Sequence, residues 1–289
     1  MIPPAFEYLR ANTIPEAIAL LQQYGDDAKI LSGGQSLIPM MKFRIARPAY
    51  LIDINRIAGL SYIKEEDGQL KIGGLTREAD LENSALIRAK YPIILDTAHS
   101  IADPQVRNLA TVAGNLAHGD PANDHPATML ALGAKVVATG PNGTRVIPIE
   151  EFFVSLFTTA LDPHDIVTEI QIPIPPAHSG GAYLKLERKV GDFATAAVAA
   201  QVTIDAGGTC QYAGIGLTNV GPTPLKATRA ETFLRGKKVD EANLRQAAQL
   251  AGEDAQPSSD LRGPAEYKTA LVKELAFRAL SRAVGRAGK

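Results

Sequence analysis

Lys29-Ile30-Leu31-Ser32-Gly33-Gly34-Gln35-Ser36 is a short apolar run that ends in two glycines and a hydroxyl residue. It reads as a buried strand stopping at a turn free of side chains, with Ser36 placed to cap a helix that begins at Leu37. Glycines let backbone N–H groups approach a ligand closely, and a helix start adds partial positive charge. The natural occupant of such a turn is an anion, such as a phosphate. A second loop of the same character, Thr111-Val112-Ala113-Gly114-Asn115, follows about 80 residues later. Together the two predict a pair of jaws on one diphosphate. Neither loop carries Lys or Arg, so amide donors and dipoles rather than ion pairs must meet the phosphate charge.

Composition narrows the possibilities around this idea. The chain has 289 residues, enough for two domains, and a formal net charge of −1 gives it no means of recruiting nucleic acid or an acidic membrane. No apolar run reaches the ~20 residues of a membrane span, and Met1-Ile2-Pro3-Pro4 does not read as a signal peptide. Cys210 is the one cysteine. An intrachain disulfide is therefore excluded and the cytoplasm is the expected compartment. A thiolate zinc site or an iron–sulfur cluster, which takes about four cysteines, would have to sit on another chain.

Along the chain, Thr13-Ile14-Pro15-Glu16 predicts a capped helix running to Tyr24 and stopping at Gly25. The quoted strand, a helix over 37–45 and a strand at Tyr50-Leu51-Ile52-Asp53-Ile54 form a β-α-β unit. Asp53 lies about 20 residues after the glycines, as in a dinucleotide-binding Rossmann unit, but the third glycine of that fingerprint is absent and Pro39 intrudes on the helix. Glu66-Asp67-Gly68 predicts the turn of a hairpin within 60–74, Thr76 a helix cap, and 85–102 two helices jointed at Pro92. A hairpin about Gly140-Pro141-Asn142-Gly143 and a helix over 149–161 come next. A strand over 166–173 leads to the linker Pro173 to Gly181. Strands at 182–186, 196–204 and 210–217 and helices near 227–234, 240–251 and 265–284 complete the chain.

His118-Gly119-Asp120-Pro121-Ala122-Asn123-Asp124-His125-Pro126 is too rich in proline and polar groups to form a core element, and dense loop chemistry of this kind tends to be a site. His118, Asp120, Asp124 and His125 could ligate a metal, although the spacing fits no tight template. The segment could also be a structural turn. The favoured reading has Asp124 accepting a hydrogen bond from a sugar hydroxyl of the ligand held by the two loops.

These residues resemble a known family. Gly33 to Lys42, Asp53-Ile54-Asn55, Thr111 to Asn115 and Gly119 to Pro126 are similar to the FAD-binding medium subunit of molybdenum hydroxylases, the aerobic carbon monoxide dehydrogenase and xanthine dehydrogenase type. Lys185-Leu186-Glu187-Arg188-Lys189, Gly191-Asp192-Phe193-Ala194 and Asn219 to Pro224 resemble its C-terminal flavoprotein domain. The resemblance covers nearly the whole chain. It implies an α+β fold: a two-part FAD-binding domain (PCMH/CO-dehydrogenase flavoprotein type) over 1–175, with subdomains about 1–57 and 58–175. A C-terminal domain over 176–289 would carry a three- to four-stranded antiparallel sheet with a helical bundle.

The resemblance also implies roles. Ser32, Gly33, Gly34, Gln35, Ser36 and Leu37, with Thr111, Val112, Ala113, Gly114 and Asn115, would hold the FAD diphosphate. Lys29 and Ile101 would flank the cofactor, Asp124 would meet a sugar hydroxyl, and Ile166 and Val167 would lie along a ring system. Lys185, Asp192 and Phe193 would stand near the isoalloxazine. No residue is expected to act as acid, base or nucleophile, and no metal site is expected on this chain. Partners would be an iron–sulfur small subunit and a molybdenum large subunit, assembled as a dimer of heterotrimers. A flavin-free scaffold and a self-standing FAD-dependent reductase are the alternatives. Ala113 stands where the family commonly has glycine, and Phe193 where tyrosine is frequent.

Overall fold

The computed structural model describes residues 2–288, with Met1 and Lys289 outside it. The N-terminal lobe runs β1 (Glu7–Arg10), α1 (Ile14–Tyr24), β2 (Ala28–Leu31), α2 (Leu37–Lys42) and β3 (Tyr50–Asp53). Its sheet has the order β1-β3-β2 with both pairings parallel. The expected β-α-β unit is present, and β1 adds a neighbour the sequence did not announce, because its four mostly exposed residues show no alternation. Thr13 caps α1, its Oγ1 accepting from the Glu16 N–H at 3.2 Å, while Glu16 reaches back one residue further than a capping box requires, to the Asn12 N–H at 2.7 Å. Ala17, Ile18 and Leu21 of α1 bury against Ile52 and Ile54. Ser36 stands at the start of α2, but its side chain makes no capping bond, and α2 ends three residues before the expected limit.

The second lobe contains β4 (Ile63–Glu66), β5 (Gln69–Gly73), α3 (Glu78–Asn83), α4 (Ala85–Lys90), α5 (Pro92–Ser100), α6 (Pro104–Arg107), α7 (Val112–Ala117) and α8 (His125–Leu132). It continues through β6 (Lys135–Gly140), β7 (Gly143–Pro148), α9 (Ile149–Phe152), β8 (Phe153–Ser155), β9 (Thr158–Thr159) and β10 (Ile166–Pro173). An antiparallel sheet of order β4-β5-β10-β6-β7 is its platform. Two expectations fail here. Thr76 caps nothing; its hydroxyl donates to the Tyr62 carbonyl at 2.9 Å, and Arg77 occupies the cap position. The helix expected over 149–161 lasts four residues, because aromatic and β-branched residues at 152–154 and 158–159 favour the short β8–β9 hairpin and Val154, Leu156 and Phe157 stay exposed.

The third lobe is a four-stranded antiparallel sheet, β11 (Ser179–Leu186), β12 (Ala196–Ile204), β13 (Cys210–Thr218) and β14 (Leu225–Lys226), in chain order. Helices α10 (Thr228–Leu234), α11 (Glu241–Asp254) and α12 (Ala265–Ala287) cover one face. β11 begins inside the stretch read as linker. Gly180 and Gly181 answer to close approach rather than flexibility: a Cβ at Gly180 would sit 2.2 Å from the Ala283 carbonyl oxygen of α12, and one at Gly181 would sit 2.9 Å from Ile93 Cβ of α5. Arg286 of α12 then ties this lobe to α5 through Asp96 at 2.6 Å. Each lobe has its own apolar core, and where the three meet they enclose a cleft.

Candidate functional site

The cleft has a volume of about 510 Å³ and is lined from all three lobes, within the size range of small-molecule and cofactor sites. Its floor is the junction of the two glycine loops. Ser32 Oγ lies 3.0 Å from Thr111 Oγ1, and a Cβ at Gly33 would meet the Leu109 carbonyl oxygen at 2.4 Å and Ala110 Cα at 2.8 Å. Arg77 crosses between the loops, donating to the Leu109 carbonyl and, at 2.5 Å, to Asn55 Oδ1. Asn55 in turn donates to the Ser32 carbonyl at 2.9 Å. Segments some 80 residues apart are thus one rigid structure.

The chemistry of this floor is a set of open donors. Among the described residues, the backbone N–H groups of Gly33, Gly34, Gln35 and Ser36 make no hydrogen bond. Gly34 adopts a φ of +73°, a conformation that suits glycine and turns consecutive amides toward one concavity. On the facing loop Thr111 caps α7, its Oγ1 accepting the Gly114 N–H at 3.2 Å. Asn115 Oδ1 is shielded from solvent and finds no partner among the described residues. Ala113 is buried within α7 and is not among the positive-φ residues, so its methyl costs no backbone strain. Val112 alone of the expected residues does not line the cleft: its side chain lies in the core and its N–H is spent on the Thr76 carbonyl. Both α2 and α7 are six residues long, so their dipoles are weak and the loop amides are the principal donors.

Lys29 stands exposed at the cleft wall, and Leu37 of α2 with Ile166 and Val167 of β10 supplies apolar surface. A buried charged cluster forms another wall. Asp124 is 5% exposed; its carboxylate accepts from the Tyr183 hydroxyl at 2.5 Å and from Lys185 Nζ at 3.1 Å. Burial pushes the Asp124 carboxyl above its ordinary value against the pull of Lys185 and Tyr183, and burial together with Asp124 pushes the Tyr183 phenol well above its own. Lys185 also donates to the Ser100 carbonyl at 2.9 Å and meets Glu187 at 3.4 Å. Two of its N–H bonds are therefore committed to protein acceptors, and it serves the cleft as a fixed positive charge.

At the mouth, Ile101 and Ala102 face a turn over 187–193 that brings Gly191, Asp192 and Phe193 to the rim. Phe193 is 44% exposed. Asp192 is held by Arg188 at 3.0 Å and Arg262 at 3.1 Å. Burial raises the Asp192 carboxyl, but the bonds from the two arginines outweigh it and leave the group below its usual range.

The proline-rich segment departs from expectation in being buried: residues 121–126 are all shielded, and α8 starts at His125. The donors of the metal reading are also dispersed. His125 pairs with Glu78 at 2.7 Å in complete burial, Asp120 Oδ1 takes the Ala122 N–H at 2.9 Å, and His118 packs on Phe157 with ring centroids 5.3 Å apart. Among the described residues no group of three or more His, Cys, Asp or Glu side chains could hold a metal ion. Burial lowers the pKa of His118, which lines the cleft without having been assigned to the ligand. Sequence reading also passed over Arg77 and Arg262. Nothing local marks either, since each acts on a segment distant along the chain.

The family described as FAD binding domain in molybdopterin dehydrogenase matches residues 4–175, and the CO dehydrogenase flavoprotein C-terminal domain matches residues 181–283. The carbon monoxide dehydrogenase medium chain of Afipia carboxidovorans is 46% identical over 287 residues, 99% of each chain. That of Hydrogenophaga pseudoflava is 46% identical over 286 residues, again 99% of each. A solved carbon monoxide dehydrogenase from Hydrogenophaga pseudoflava, in a form lacking the Mo-pyranopterin moiety, superimposes with a TM-score of 0.96 at 47% identity over 99% of both chains. The open amides and the unpartnered Asn115 oxygen fit FAD, and this chain belongs to the FAD-binding medium subunits of molybdenum hydroxylases, an oxidoreductase component.

Proposed function

We propose that this chain is the electron-relay subunit of its complex. It would receive electrons from iron–sulfur clusters on a small subunit, themselves fed by a molybdenum centre on a large subunit, and deliver them to an external acceptor. Bound FAD supplies the redox chemistry. The chain's own residues position and shield it. The amides of Gly33, Gly34, Gln35 and Ser36, facing the Thr111–Asn115 loop, hold the diphosphate. Asn115 Oδ1 and the remaining lone pairs of Asp124 accept from ligand hydroxyls, while Ile101, Ile166, Val167 and Leu37 exclude water. Lys29 flanks the cofactor at the open wall. Lys185 places a fixed positive charge beside the ring end, and Asp192 and Phe193 close the mouth. The observation that carries this reading is the run of four unpartnered amides on a loop locked to its partner by Ser32, Thr111 and Arg77.

The partners follow from the same reading. With a single, buried cysteine this chain cannot house the clusters, so a heterotrimer and its dimer are the proposed assembly, in a reducing cytoplasm. No helix among the described residues is long and apolar enough to cross a membrane. Absorbance of the protein purified with its co-purifying chains tests the proposal. Flavin bands that bleach when the complex receives substrate without acceptor, together with iron–sulfur and molybdenum chains, are the expected result. A colourless protein would favour a scaffold role instead, and turnover by the isolated chain a self-standing reductase.

A further inference from the structure

Lys268 is a lysine with no role in the cleft, yet it is 1% exposed in the first turn of α12. A buried ammonium is costly unless paired. Its partner is Asp260 at 2.7 Å, in a loop whose Asp260 and Gly263 exchange backbone hydrogen bonds, each 3.1 Å. The other oxygen of Asp260 accepts the Arg262 N–H at 2.8 Å. Arg262, at the tip of this closed turn, reaches Asp192 at 3.1 Å and lies over the Phe193 ring at 5.9 Å. Asp192 in turn accepts the Phe193 N–H at 2.8 Å. An unbroken chain of contacts therefore runs from α12 to the cleft mouth.

The turn over 187–193 has few other outside anchors. Glu187 accepts from Gly191 at 3.3 Å and Arg188 bonds Asp192 at 3.0 Å, both within the turn. Outside it the turn touches Lys185 through Glu187 and approaches Ala102 at Gly191. Val190 at its tip is 93% exposed.

We propose that Arg262 is a positioning residue: braced by the Lys268–Asp260 pair, it holds Asp192 and the face of Phe193 across the cleft mouth, and so limits how freely a small soluble oxidant reaches the cofactor ring. The second half of this statement rests on the FAD reading above, whereas the brace itself does not. The guanidinium suits the task because it can bond a carboxylate and lie over a ring at the same time. A neutral amide can do neither well.

The chain contains no tryptophan, so Phe193→Trp installs a single reporter at the mouth. In that background Arg262→Gln and Lys268→Met are each expected to increase acrylamide quenching of the reporter roughly twofold or more and to lower its anisotropy, as expected for a segment that loses its anchors. Arg262→Lys should fall between parent and Arg262→Gln. Hydrogen exchange of the amides over 187–193, measured with Phe193 intact, should speed up in the same two variants while α12 stays protected. In the holo-complex, Arg262→Gln should keep its flavin content and show faster reoxidation of the reduced flavin by dioxygen. Quenching and exchange equal to the parent in both variants would overturn the brace. Altered quenching with unchanged reoxidation would overturn its control of access. A parent that never holds flavin would overturn the FAD reading and leave the brace to be judged by quenching and exchange.

Discussion

Gly33→Ala is the smallest change that should separate the two loops. The added methyl would stand 2.4 Å from the Leu109 carbonyl oxygen and 2.8 Å from Ala110 Cα, against an ordinary contact of 3.4–4 Å. Both neighbours are backbone, so no rotamer can relieve the clash, and the loops must part by about 1 Å or pack under strain costing about 1–3 kcal/mol. Parting pulls Ser32 from Thr111 and moves the amides of Gly34, Gln35 and Ser36 off any diphosphate seated between the loops. An N–H bond to a charged oxygen is worth about 1.5–3 kcal/mol, so losing one raises the FAD dissociation constant about ten- to a hundredfold. Fluorescence titration of the deflavinated protein with FAD measures this directly. Gly59→Ala is the control: its φ of +78° strains an alanine, but nothing lies within 4 Å of the new methyl. It should cost about 1–2 kcal/mol of stability and leave FAD affinity unchanged. A folded Gly33→Ala protein with parental affinity would refute the two-jaw reasoning.

Three further outcomes follow from the same geometry. Asp124→Ala strands Lys185 Nζ and the Tyr183 hydroxyl in a buried site, and should lower stability by about 3–5 kcal/mol in urea unfolding and weaken FAD by about 1–3 kcal/mol by titration. Arg77→Ala removes the tie from the Leu109 carbonyl to Asn55, and should loosen FAD at least about tenfold while far-UV dichroism stays parental. Glu231 is buried and pushed up to about 7 by desolvation, from 4.5. The folded carboxyl keeps a proton that the unfolded one releases, so stability falls as pH rises from about 4.5 to about 7, by up to about 3 kcal/mol. Glu231→Gln retains an oxygen for the Ile215 N–H at 2.8 Å and should flatten that slope; an unaltered pH profile in thermal melts would contradict the assignment.

The glycine loops were legible because the information is local: a strand and a glycine turn, with positive φ at Gly34, are written in adjacent residues, whereas the short helix that Thr111 caps was read only as loop. Equally local are the Thr13 cap and the Asp67-Gly68 turn, whose two residues are at positive φ. The wall made by Asp124 and Lys185 was legible only in part. Their membership of the cleft was expected, but their mutual bond at 3.1 Å, which commits Lys185 to the protein, depends on a pairing across 61 residues. Burial was misjudged for residues 121–126, where proline and polar side chains suggested an open loop; the pairings of Asp124 and His125 are what make shielding affordable. The helix expected over 149–161 failed because local apolar spacing could not say which side chains would find a core. Arg262 was beyond reach, since its meaning lies in Asp192, 70 residues away.

The central claim is that two distant loops grip one bridging diphosphate. Parallel titrations of the deflavinated protein with FAD and with FMN test it most directly, because FMN carries the same ring but lacks the second phosphate and the adenosine. The account predicts FAD binding tighter by about a hundredfold or more, the worth of one to two charge-assisted amide bonds, and a loss of that preference in Gly33→Ala. Equal affinity for the two flavins in the parent protein would contradict it.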